Sequence, residues 1–545
     1  MPSMPATNGN AAVQSGAPSR REALARLTAL LALPYARWPE RLTDPLTGTI
    51  AEYQAGRLRG DWSAVEVTRS ALALCESRGR ALRAIDQLAA DAMDAARASD
   101  ERLRARRLRG PLDGVPVFAK SIYDMRGTPT TASSADWAKL FPEPVDRDSV
   151  EVTRLRDAGA VILGKTAADD FAYRGNGTSS LTGQVLNPHD ATGTKTPGGS
   201  SAGSAVAVLT GMAFSALGTD DGGSNRIPAG FCGVVGMKPT FGLVPRTGVI
   251  PTWPFLDTHG PLARTAADAA LLLDAIAGPD ASDPLALTAP WRRGQLSALP
   301  SGALRGARLG RVNEHLPLML MTDDARDAWH RAERDLERAG AIVEEYIPSV
   351  TRWNVRDHFD ADARARGDVR PNANSPAPTA NALLRYFAGQ GVDARRAVER
   401  GLAPFRAFYD VLPADIEAML RLTGQPMESD AAGLSFARSR ASVVARLAAS
   451  FKASGLEAMV YPTMAFEAPP ATDPWPDIRT PLGYGNWLGI PEVSVPAGIG
   501  SNGMPTLNLS FVGLPGSDAR LLAMAHAYER VSARMVMAST AVQSR

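Results

Sequence analysis

Lys120 closes the short apolar run Val115–Ala119, and it is one of only six lysines in a chain whose positive charge is otherwise arginine. An amine serves as a base only when neutral, and burial at a strand end is what would lower its pKa far enough. A second segment, TPGGSSAGSA at 196–205, offers two adjacent serines among glycines that let neighbouring backbones approach closely. Within it GSSAG spells a nucleophile elbow on Ser201, a reading that needs an acid and a downstream histidine such as His526. A third segment, GTDDGGSNRIPAGFCG at 218–233, ends a buried run in a Gly-Gly loop that delivers Ser224. Consecutive N–H groups in such a loop can converge on the negative charge of a tetrahedral intermediate. Taken singly, each residue also has a structural reading: a solvated lysine, a turn serine at 200, a helix-capping serine at 224. A fourth segment, GAVILGKT at 159–166, has the spelling of a phosphate loop, but the residues between its glycines are themselves an apolar strand, which excludes nucleotide binding there.

Elements of alternating type must hold these segments. Residues 62–77 and 81–107 carry apolar positions at helical spacing. Strands are expected at 115–119, 160–163 and 213–218, with helices at 148–157 and 201–209 between them. That alternation predicts an α/β fold: a mixed central sheet covered by helices on both faces. The stretch 280–455 reads as a helical insertion broken by a Pro/Asn/Ser loop at 371–378, and strand-like runs return at 456–461 and 507–512 before a closing helix near 521–535. The expected organisation is a disordered terminus (1–20), N-terminal helices packing on the core (21–108), a catalytic core (109–279), a variable helical insertion (280–455), and a return to the core sheet (456–545).

Composition narrows the function. Lys plus Arg number 59 against 57 Asp plus Glu, a net charge of +2, so nothing electrostatic favours nucleic acid or an anionic membrane as partner. Two cysteines are too few for a disulfide framework, and the six histidines lack metal-ligand spacing, so no metal is expected. No apolar run reaches the roughly 18 to 20 residues of a membrane span. Ser19, Arg20 and Arg21 precede an Ala/Leu-rich stretch that could be an export signal leading to the periplasm; Glu22 and Arg26 interrupt it, which favours an amphipathic helix and a cytoplasmic protein.

The order of Lys120, TPGGSSAGSA and GTDDGGSNRIPAGFCG resembles the amidase signature family of amide hydrolases. The likeness continues through GVVGMKPT (233–240), GLVPR (242–246) and DTHGPLART (257–265), with a weaker echo in GIPEVSVPAG (489–498). It covers about residues 108–278 and implies that family's α/β/α sandwich. Position by position, it assigns the general base to Lys120, the proton shuttle to Ser200 and the nucleophile to Ser224. It implies a cis peptide between Gly199 and Ser200, and an oxyanion hole built from the backbone N–H groups of Asp221, Gly222, Gly223 and Ser224. Asp220 and Arg226 are expected to brace that loop, and Lys165 and Lys238 to be structural. The implied reaction hydrolyses a carboxylic amide through an acyl-enzyme without a cofactor, on a small-molecule amide substrate; the partner expected beyond that substrate is a second copy of the chain, as a homodimer. Two residues depart from the pattern: Asp221 stands where a neutral residue is usual, and Asn225 where an aliphatic one is. Alternatives are a glutaminase subunit of an amidotransferase, disfavoured by Ile227 where those relatives favour glutamine, the Ser201 esterase, and a non-catalytic binding protein on the same fold. Specificity is expected from the insertion and from the loop Thr252–Phe255.

Overall fold

The computed structural model describes residues 44–286, 294–313, 321–373, 382, 386, 430–473 and 482–533. The terminus at 1–20, the Ser19–Arg21 segment and most of the loop 371–378 lie outside them.

Thirteen strands are found among the described residues: β1 (Ile85–Leu88), β2 (Pro116–Lys120), β3 (Val161–Thr166), β4 (Thr178–Ser179), β5 (Gly183–Gln184), β6 (Ser215–Asp220), β7 (Val235–Lys238), β8 (Thr258–Ala263), β9 (Arg308–Arg311), β10 (Ile342–Glu345), β11 (Ala458–Met464), β12 (Glu492–Ile499) and β13 (Pro505–Val512). β4 and β5 form a small hairpin, and the other eleven make one mixed sheet in the order β1-β3-β2-β6-β8-β7-β12-β13-β11-β9-β10. The fold is the expected α/β sandwich, its sheet covered by helices on both faces. β2, β3, β6, β7 and β8 are buried at every position, as strands covered on both faces must be.

Three features differ from the sequence expectation. The helix expected over 81–107 begins only at Ala92, because β1 takes Ile85–Leu88 and pairs antiparallel with β3. Pairing at a sheet edge there outweighs the local helical preference. The stretch 280–455 is not only helical: it supplies β9 and β10, which pair in parallel, and β9 also pairs with β11. Finally, β7, β8 and β12, for which no strand was expected and which contain Gly or Pro, sit in the middle of the sheet.

Two relations position the site. β2 and β6 are parallel neighbours, with Val117 opposite Ser215 and Phe118 opposite Ala216, so Lys120 and Asp220 leave the sheet at the same end. The helix Ala202–Leu209, all small or aliphatic and buried throughout, packs against β2, β3 and β6 and carries the two serines at its start. Its close approach requires Gly203: a Cβ there would lie 2.3 Å from the Ala84 carbonyl oxygen and 2.6 Å from that of Ala167. GAVILGKT is continuous with β3, with Lys165 inside the strand, so it forms no phosphate loop.

Candidate active site

Lys120, at the end of β2, is fully buried and donates from Nζ to Ser200 Oγ at 2.7 Å and Thr219 Oγ1 at 2.9 Å. Burial pushes its amine down to about 8, against the opposing pull of Asp221, Asp169, Asp220 and Asp257. Ser200 follows a cis peptide from Gly199, and its carbonyl accepts the Asp169 N–H at 3.2 Å. Asp169 in turn accepts from the N–H groups of Gly177 and Thr178 at 2.9 and 3.0 Å. Its carboxyl also fills the space beside Gly199, where a Cβ would meet Oδ2 at 2.1 Å.

Ser224 lies on the loop after β6, 7% exposed, and its carbonyl accepts the Ser201 N–H at 3.1 Å, which fixes one serine segment against the other. Gly222 beside it is exposed, and a Cβ there would meet open space, so the loop faces solvent while Lys120 and Ser200 lie beneath it. The hydrogen bonds of the described residues include the Lys120–Ser200 contact but none joining Ser200 Oγ to Ser224 Oγ.

The loop is held from below. Asp220 accepts the Gly223 N–H at 2.7 Å and the Asn225 N–H at 3.2 Å, and Arg226 grips both its oxygens at 2.8 and 2.9 Å. Burial alone would raise the Asp220 carboxyl, but the Arg226 guanidinium outweighs it and holds it well below the usual carboxylate range. Arg226 also donates to Glu492 at 2.7 Å and Asn486 at 2.7 Å, and Asn486 returns a bond to the Asp220 carbonyl at 2.8 Å. Tyr461 and Ser510 donate to Glu492 at 3.0 and 2.6 Å, which completes a buried network spanning the chain. Such a charge network is costly to break once buried, because removing one partner strands the other.

Asn225, the first departure, acts as a crosslink. Its side chain donates to the Met237 carbonyl at 3.0 Å and accepts from Ser201 Oγ at 3.2 Å. Ser201 is thereby occupied: its hydroxyl also reaches the Thr219 carbonyl and N–H, each at 3.3 Å. His526 lies on the closing helix, 3.9 Å from Glu529, and makes no contact with Ser201, so the geometry does not assemble an elbow triad. Asp221, the second departure, has both carboxyl oxygens buried without a hydrogen-bond donor.

Lys165 donates to the Pro129 carbonyl at 2.7 Å and Lys238 to that of Pro239 at 3.2 Å; burial pushes them down to about 8 and about 7, and neither contacts a serine of the site. In the loop Thr252–Phe255, Phe255 is buried in a second hydrophobic cluster, whereas Trp253 stacks edge-on against Tyr173 at 5.4 Å. Sequence reasoning missed Thr219, Asp169, Asp257, Asn486 and Glu492. Glu492 had a signal, as the single charged residue in the GIPEVSVPAG run. Among the described residues no cluster of His, Cys, Asp or Glu could hold a metal ion, and no helix is long and apolar enough to cross a membrane.

The amidase family model matches residues 66–522. A glutamyl-tRNA(Gln) amidotransferase subunit from Chloroflexus aurantiacus is 34% identical, covering 89% of this chain and 96% of that protein. Its counterpart from Ralstonia nicotianae is 35% identical over 86% of this chain and 94% of its own. Among solved structures, the peptide amidase of Stenotrophomonas maltophilia superimposes with a TM-score of 0.73 at 31% identity, covering 92% of this chain and 98% of that one. With a family model matched over most of its length and relatives of this identity aligned nearly end to end, the chain belongs to the amidase family.

Proposed function

We propose that the protein hydrolyses a carboxylic amide through an acyl-enzyme on Ser224, with Ser200 as shuttle and Lys120 as general base. The observation that carries this reading is the fully buried Lys120–Ser200 contact of 2.7 Å beneath the loop that presents Ser224. When Lys120 is neutral the contact reverses, and Ser200 O–H donates to the amine. Ser224 then passes its proton to Ser200 as its oxygen adds to the amide carbon, while Ser200 passes its own proton to Lys120. The backbone N–H groups of residues 221–224 receive the oxyanion. Collapse breaks the C–N bond, and the amine leaves with a proton returned through Ser200. Water then adds to the ester by the same relay and releases the acid. Asp220 and Arg226 brace the loop without moving protons.

Family membership supports an amide C–N bond as the point of attack; a linear amide, a small-molecule substrate and a cytoplasmic location are part of the proposal. A serine-reactive phosphonate should add to Ser224 of the intact chain, detected by peptide mass mapping, and Ser224→Ala should abolish both adduct and amide turnover while retaining the fold. An unlabelled Ser224 in folded protein would sink the enzyme reading.

A second reading, the glutaminase component of an amidotransferase, is favoured by the names of the curated relatives. Against it, Ile227 is packed with Phe231, Met464, Phe466 and Met504 and presses on the Gly198 turn, which leaves an apolar wall rather than a polar side chain at that position. Glutamine hydrolysis by the isolated chain at a rate matching its best aryl or aliphatic amide would favour this second reading.

A further inference from the structure

Asp221 is the one acid of the nucleophile loop that the proposed chemistry does not use. It is 5% exposed, and no described donor reaches either of its carboxyl oxygens. Beside it stands another carboxyl, Asp257: β6 and β8 pair antiparallel as far as Asp220 opposite Thr258, so Asp221 and Asp257 leave the sheet side by side, where a side-chain hydrogen bond can join them. Two carboxyl groups can share one only if one of them carries a proton. Asp257 is placed as the acceptor, since its oxygens already accept the backbone N–H groups of Trp253 at 2.6 Å and Thr252 at 3.1 Å. Asp221 has no such support, and two adjacent carboxylates in a dry site cannot both ionise.

The other charged and titratable groups facing the pair come from several elements. Lys120 on β2 favours an ionised Asp221 and Asp220 on β6 opposes it; Tyr123 and Arg246 also feel its charge. Asp220 is already matched by Arg226, and Asp169 by two backbone N–H groups. Burial, reinforced by Asp257, pushes the Asp221 carboxyl well up, and Lys120 offsets this only in part.

We propose that Asp221 is a positioning residue that stands as a protonated acid and donates its O–H to the Asp257 carboxylate, tying the Ser224 loop to the Thr252–Asp257 loop. The proton serves two ends. It denies Lys120 an anionic partner that would keep the amine charged, and it removes a negative charge from the edge of the oxyanion hole. The inference rests on the Lys120–Ser200–Ser224 reading above.

Infrared difference spectroscopy of the full chain, wild type minus Asp221→Asn at neutral pH, should show the carbonyl stretch of a protonated carboxyl that the variant lacks. Asn keeps a donor toward Asp257, so Asp221→Asn should lose less kcat than Asp221→Ala. Its acid limb in the pH profile should not move, because a neutral group replaces a neutral group. Asp221→Ala should lose about ten- to a hundredfold in kcat with a smaller change in KM, since it strands the Asp257 carboxylate. Absence of the infrared band, or an acid limb displaced downward by about one unit or more in Asp221→Asn, would overturn the inference by showing an ionised Asp221 paired with Lys120. Phosphonate labelling of Ser224 separates the two claims: a labelled Ser224 without the band defeats the inference alone, and the band without labelling defeats the hydrolase reading alone.

Discussion

Activity should follow the neutral fraction of Lys120. Burial brings its amine from an ordinary 10.5 down to about 8. The neutral fraction is then about one tenth at pH 7, one half at pH 8 and nine tenths at pH 9. If that amine is the base, kcat/KM rises about tenfold from pH 7 to 9 along a single-proton limb centred near 8. The assay is amide turnover well below KM at constant ionic strength, run beside phosphonate inactivation of Ser224. The inactivation has no leaving amine, so it isolates activation of the nucleophile. Lys120→Arg keeps the cation but removes the base; it should cut the rate by about 10² to 10⁴ at every pH and erase the limb. The same shift has a signed effect on stability. Between about 8 and 10.5 the unfolded chain binds the proton that the folded chain has released, so this group's contribution to stability rises with pH across that window. A flat profile, a limb near 6.5 as for an imidazole, or a limb that survives in Lys120→Arg would refute the reasoning.

Three further outcomes follow from the packing. Arg226→Met strands the buried carboxylates of Asp220 and Glu492 and should cost about 3 to 5 kcal/mol in urea unfolding, with activity lost alongside. Asn225→Leu, which removes the bonds to Met237 and Ser201, should cost about 1 to 3 kcal/mol by thermal or urea unfolding while turnover per folded molecule stays near wild type. Gly199→Ala drives a methyl to 2.1 Å from Asp169 Oδ2 and 2.7 Å from Gly177 N, so it should destabilise the protein by about 1 to 3 kcal/mol and depress kcat more than KM.

What could be read from the chain was what lies close along it. Ser200 and Ser224 sit within 25 positions of each other, and the intervening helix and strand are spelled by small and apolar runs. Lys120 was legible because lysine is scarce and an apolar run ends on it. The mixed sheet was legible in kind but not in extent: Ile85–Leu88 looked helical, and Val235–Lys238 and Thr258–Ala263 carried no strand expectation, because Gly and Pro mask a strand buried on both faces. The bracing of Arg226 was half visible, since Asp220 is a neighbour in sequence, whereas Glu492 and Asn486 arrive from 266 and 260 residues away.

Distance along the chain also separates reaction class from proton inventory. Residue types name the groups able to react, but burial and remote partners decide which of them are charged. Asp220 and Asp221 make the point, being adjacent acids at the end of one strand. Asp220 faces Arg226 and is held anionic; Asp221 faces Asp257 and is pushed toward its neutral form. No rule of local spelling distinguishes them. A substitution at either should therefore be judged by the partner it strands: Asp220→Asn leaves Arg226 facing Glu492 alone, whereas Asp221→Asn leaves every charge in the site where it was.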